Sequence, residues 1–185
     1  MNALLQGLMD AGLIQFGQFV RDGKPNPVQF HLDLLSSYPD LVRSASLAVY
    51  SAVPGIKIDH WLCPADAIPL GMALTLTTDV PLVYDRAYGG HAPDLIGAYD
   101  IGHPTALLVN VLDRQNPPSR LIAHARRVGL QIQHLVALID LENGSLPDGI
   151  QCDAVLRFTR VLGELKGAGL LPQTQMMTVF DWMRG

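Results

Sequence analysis

The spacing of apolar positions along the 185 residues alternates between a strand period of about two and a helical period of about 3.6. Met1 to Asp10 reads as a short amphipathic helix. Ile14 to Val20 and Val28 to Leu34 are extended runs on either side of Asp22-Gly23-Lys24-Pro25-Asn26-Pro27, a stretch dense in turn formers, which predicts a hairpin with a polar tip. Leu41, Ala45, Ala48, Val49 and Ala52 then recur at helical spacing between Ser37-Tyr38-Pro39-Asp40 and Pro54-Gly55. Ile58 to Cys63 reads as a strand, Ala67 to Thr77 as a buried helix and Pro81 to Tyr84 as a short strand. Asp85 to Pro104 reads as a long loop of the kind that in compact domains is usually functional.

The second half repeats the alternation with longer apolar runs. Thr105 to Leu112 (TALLVNVL) is the most apolar strand, Pro118 to Val128 the helix after it, and Ile132 to Leu141 the next strand. Ala154 to Phe158 predicts a last strand, and helices over Thr159 to Lys166 and Thr174 to Met183 close the chain. Buried strands alternating with helices imply an α/β fold with a central parallel sheet covered on both faces. The length suits one domain, with a hairpin hood over about 14–35, a core over about 38–158 and C-terminal helices over 159–185.

Composition narrows the function. A net charge of −4 lacks the basic field of non-specific nucleic-acid binding, and no apolar run is long enough for a membrane span. Cys63 and Cys152 have neither disulfide-framework nor metal-ligand spacing, which places the chain in a reducing cytoplasm. Arginine supplies ten of the thirteen basic residues and lysine only Lys24, Lys57 and Lys166, so chemistry that needs several lysines is excluded. Six histidines scattered singly predict no metal site.

Several phrases, in order and across nearly the whole chain, carry a resemblance. Phe16-Gly17-Gln18-Phe19 with Asn26-Pro27-Val28-Gln29-Phe30, then Ser37-Tyr38-Pro39-Asp40-Leu41, Asp59 to Leu70, Pro81 to Arg86, Asp153 to Val161 and Gly169 to Met183 together resemble the orotate phosphoribosyltransferases. The resemblance implies a type I phosphoribosyltransferase fold with a hood. It also implies transfer of ribose 5-phosphate from phosphoribosyl pyrophosphate to orotate with magnesium, and a homodimer in which the long loop of one subunit reaches the other's site.

Against that pattern the chain departs at three places. The family's apolar strand ends in two acids that contact the ribose hydroxyls, followed by a Gly- and hydroxyl-rich loop whose N–H groups wrap the 5′-phosphate. Here the acids are Asn110-Val111, and the loop runs Asp113-Arg114-Gln115-Asn116-Pro117-Pro118-Ser119, with two prolines that lack the amide donor. Arg86 and His91 match positions of the long loop, but that loop holds no lysine. Loss of a preorganised cation from developing phosphate charge costs on the order of 3 kcal/mol. The arginine that the family places on orotate is Leu141 here, which leaves Arg21, with Lys24 as second choice, for the carboxylate.

These departures imply a degenerate site formed by Asn110, Val111, Asp113, Arg114, Asn116 and Ser119, with no catalytic residue assigned. Arg21, Lys24, Phe30, Asp66, Arg86 and His91 are ligand-contact candidates, and a small anion is the candidate ligand. Each has a plainer reading. Arg21 and Lys24 suit a solvated hairpin tip, Asp113 and Arg114 suit an ion pair or a helix start, and Asp66 reads best as a helix cap. The expectation is a catalytically silent ligand-binding or regulatory subunit without a cofactor, as a homodimer or in a mixed dimer with a related enzyme. The alternative is an active transferase, using magnesium, whose site is rebuilt from Arg86, Arg114, Asp113 and His91. For the dimer, Leu4, Leu5, Leu8, Met9, Trp61, Met72 and Trp182 supply apolar surface.

Overall fold

The computed structural model describes residues 2–21, 23–86 and 94–185. Helix α1 (Ala3–Asp10) is capped by Asn2, whose side chain accepts from the Leu4 amide, and is followed by the hairpin β1 (Ile14–Arg21) and β2 (Lys24–Phe30). The predicted polar tip is shorter than its composition suggests, because Lys24 to Pro27 already belong to the strand. A two-stranded sheet has only edges, so its prolines remove no ladder bond that a neighbour needs. The run extended in prediction to Leu34 instead turns at His31 into a 3₁₀ helix over Leu32–Ser37.

Next come α2 (Pro39–Ala52), β3 (His60–Cys63), a single 3₁₀ turn at Ala65–Ala67, α3 (Ile68–Thr78) and β4 (Leu82–Asp85). A two-residue strand β5 (Leu95–Ile96) lies inside the predicted long loop and pairs antiparallel with β4, so the sheet is mostly rather than wholly parallel. Then follow β6 (Pro104–Leu112), α4 (Ser119–Arg127), β7 (Gln131–Asp140), β8 (Gln151–Arg157), α5 (Phe158–Gly167) and α6 (Gln173–Arg184).

The main sheet has the order β5-β4-β3-β6-β7-β8. Alternate residues of β6 enter opposite cores. Ala106 and Leu108 join α1, α2, α3, α5 and α6, whereas Leu107 and Val109 face α4. That double burial explains the unbroken apolar run. β3 leads outward to β4, and β6 leads the other way to β7. The sheet therefore has a topological switch point between β3 and β6, at whose carboxyl ends such folds bind ligands.

Leu5, Leu8 and Trp61 are fully buried and Leu4 nearly so, all within the chain's own core. Leu4, Leu5, Leu8 and Trp61 are thus spent on the chain's own core, while Met9 stays half-buried. Met72 does remain exposed, as do Leu47, Tyr50 and Leu76 on the same pair of helices, α2 and α3. No helix among the described residues is long and apolar enough to cross a membrane.

Candidate functional site

Two clefts open at the switch point. The first, about 580 Å³, lies between the hairpin and the carboxyl ends of β3, β6 and β7. Of the sequence candidates it gathers Arg21, Phe30, Asp66, Asn110, Val111, Asp113 and Asn116, and Asn26, Asp33, Leu141 and Trp182 are also among its walls. The second, about 790 Å³, lies between the hairpin tip and the C-terminal end of α6 and gathers Arg21, Lys24 and Arg114. Arg21, Asn26 and Trp182 belong to both. Ser119 opens α4, outside both linings. Arg86 also lies outside them, paired at 2.6 Å with Asp94 beside β5. His91 lies outside the described residues.

Asn110 continues the Ala106-Leu108 face of β6 and is only 4% exposed. Its amide nitrogen donates to the Asp66 carbonyl at 2.7 Å, tying the end of β6 to the turn after β3, while its Oδ1 is buried without a partner. Asp66 caps no helix, which corrects the reading of it as a helix start. It sits inside the 3₁₀ turn, and α3 begins from Ala67 with no side-chain cap. Desolvation pushes its carboxyl pKa above the ordinary value, against hydrogen bonds from its own backbone and Asn110.

The loop from β6 to α4 is held by its own side chains. Asp113 Oδ1 accepts from the Asn116 amide at 2.6 Å, and the Arg114 amide donates to Asn143 Oδ1 at 3.3 Å. Pro117 and Pro118 have no amide hydrogen. Asp113 and Arg114 form neither the ion pair nor the helix start that the sequence suggests. Asp113 makes a local turn and Arg114 Nη2 donates to the Trp182 carbonyl at 3.1 Å. Asn143 Nδ2 donates to the Met183 carbonyl at 3.2 Å, so one loop side chain and one loop cation satisfy the carbonyls at the end of α6.

The β7–β8 connection positions Leu141. Asp140 Oδ1 accepts from the Glu142 amide, and Glu142, at φ 56°, turns its carboxylate onto the amide and hydroxyl of Thr159 at the start of α5. Leu141, 1% exposed, is left as an apolar wall of the first cleft. Asn26, Asn143 and Trp182 are site residues that sequence reasoning missed. Only Asn26 had a signal, its place in a turn-rich tip; the other two act through backbone carbonyls that have no sequence signature.

Magnesium takes hard oxygen ligands, usually carboxylates with water and phosphate. Among the described residues no three His, Cys, Asp or Glu are grouped to hold a metal. The end of β6 presents an amide and an isopropyl group, and one Asp113 oxygen is committed to Asn116. This donor set does not fit a magnesium ion held by the protein.

No family model matches the chain. It is 27% identical over 149 residues to the orotate phosphoribosyltransferase of Archaeoglobus fulgidus, covering 76% of this chain and 82% of that one. It is also 27% identical over 172 residues to that of Pyrobaculum calidifontis, covering 88% and 90%. The crystal structure of orotate phosphoribosyltransferase from Francisella tularensis superposes with a TM-score of 0.74 at 17% identity, over 99% of this chain and 98% of that one.

Proposed function

From a chain of the orotate phosphoribosyltransferase family on the type I phosphoribosyltransferase fold, we propose a protein that keeps the ligand cleft and has lost the transfer reaction. It acts as a ligand-binding or regulatory subunit. The observation that carries this reading is the β6–α4 loop. Two of its amides are committed to Asp113 and Asn143 and two of its residues are prolines, so a 5′-phosphate placed there finds side-chain bonds to break where it needs a cradle. Leu141 offers no charge to orotate, and Asn110-Val111 offers no carboxylate to a ribose diol.

Among the described residues the rebuilt-enzyme reading draws no support from the geometry. Arg86 is paired with Asp94, Arg114 with the end of α6, and Asp113 with Asn116. The deciding experiment is an assay with phosphoribosyl pyrophosphate, magnesium and orotate or other bases, together with a melting scan. The expected outcome is no turnover above the blank and no rise in Tm, where a true ligand far above its Kd raises stability by RT ln(1 + [L]/Kd). Turnover above the blank sinks the silent reading. The regulatory role uses a homodimer or a mixed dimer with a related enzyme, paired through the exposed apolar residues of α2 and α3.

A further inference from the structure

We propose that the oxyanion site of this protein lies in the cleft between the hairpin tip and the end of α6, where Arg21, Lys24 and Arg114 take the phosphate group of its ligand. The proposal rests on the reading that the protein binds a ligand without transferring its ribose phosphate. It moves the anion from the β6–α4 loop to a neighbouring wall.

Three observations carry it. Arg21 and Lys24 are direct cross-strand partners in the hairpin, an arrangement of like charges that weakens a strand pair. Among the described residues neither has an ion-pair partner, so no described carboxylate relieves their repulsion. An oxyanion between them relieves it.

The third cation comes from a different element. Arg114 reaches the same cleft from the loop after β6 and spends one donor on the Trp182 carbonyl, which leaves further N–H groups of its guanidinium for an oxyanion. The same bond, with that of Asn143 to Met183, satisfies two carbonyls at the negative end of α6.

The charge of the two clefts divides accordingly. The described lining of this cleft contains no Asp or Glu side chain, whereas Asp33, Asp66 and Asp113 line the strand-end cleft next to it. A phosphate is repelled by those carboxylates and attracted by Lys24 and Arg114, which line the hairpin-tip cleft and not its neighbour. Trp182 belongs to both linings, so an anion bound beside it changes its surroundings, while Trp61 is fully buried.

The test titrates inorganic phosphate into the intact protein at low ionic strength, followed by calorimetry and tryptophan fluorescence. Saturable binding is expected, with a fluorescence change lost in Trp182→Phe. Binding weakens about tenfold in Arg21→Ala and in Lys24→Ala and also falls as salt screens the cations. Asn116→Ala and Ser119→Ala leave it unchanged. The proposal is overturned by the absence of saturable binding, by affinity indifferent to both hairpin substitutions, or by loss of binding in the two loop variants. Turnover in the transferase assay is a separate failure that strikes the silent reading. Absent phosphate binding strikes this assignment and leaves the silent reading standing.

Discussion

Cys63 shows how far burial alone sets a residue's chemistry. It is fully buried at the end of β3, and desolvation, with smaller contributions from Asp66 and Asp85, pushes its thiol up to about 12. The raised value means that the folded state favours the protonated thiol. Its contribution to stability is intact below about pH 9 and is lost as pH climbs towards about 12. In a Cys152→Ser variant we expect Cys63 to resist a disulfide reagent at pH 8 until denaturant is added. Labelling of the native protein at the unfolded rate contradicts the burial. Cys63 as a small core residue was legible from its place on a core strand, and so was the Asn110-Val111 substitution. The role of Asn110 was not, because its partner is a backbone carbonyl 44 residues away in sequence.

Elements with strong periodicity or a long apolar run were legible nearly to their ends: α2, α3, α4, β6, β7 and α6 lie within about two residues of their predicted bounds. Short or turn-like elements were not. β5 exists only because β4 offers it an edge, and the 3₁₀ helix at Leu32–Ser37 keeps Leu32 and Leu35 in the core with a spacing that a strand pattern obscures. The β6–α4 loop behaves as an element too, since its parts act together. Restoring the acidic pair by Asn110→Asp with Val111→Asp is therefore expected to yield no orotidylate, because the loop prolines and the absent lysines remain. It also replaces the donor that Asn110 gives to the Asp66 carbonyl with an acceptor, in a site only 4% exposed. Chemical denaturation is expected to show a loss of about 3 kcal/mol. Orotidylate formation, or unchanged stability, contradicts this account.

For the whole molecule, fold class follows from the βαβ rhythm, whereas the strand order and the exposed apolar surface do not, because apolar content fails to tell core from surface. Leu4, Leu5, Leu8 and Trp61 went inward; Leu76, 81% exposed, with Tyr50 and Leu47 stayed outside. α3 is apolar on all sides, so the face turned away from the sheet has nothing polar to present except its threonines. Light scattering at tens of micromolar is expected to give twice the chain mass, and Leu76→Asp to return the single mass. A wild-type monomer removes the structural basis of the mixed-dimer role.

The self-bonded loop between β6 and α4 has a kinetic consequence. A cradle that waits for phosphate keeps its amides open to water, and those amides trade protons quickly until substrate arrives. Here the Asn116 amide is already bonded to Asp113. Its exchange with deuterium depends on breaking that turn. In the free protein Asn116 should hold its proton far longer than an open loop amide does. Adding phosphate should leave that lifetime unchanged, so ligand binding and loop order have become independent events.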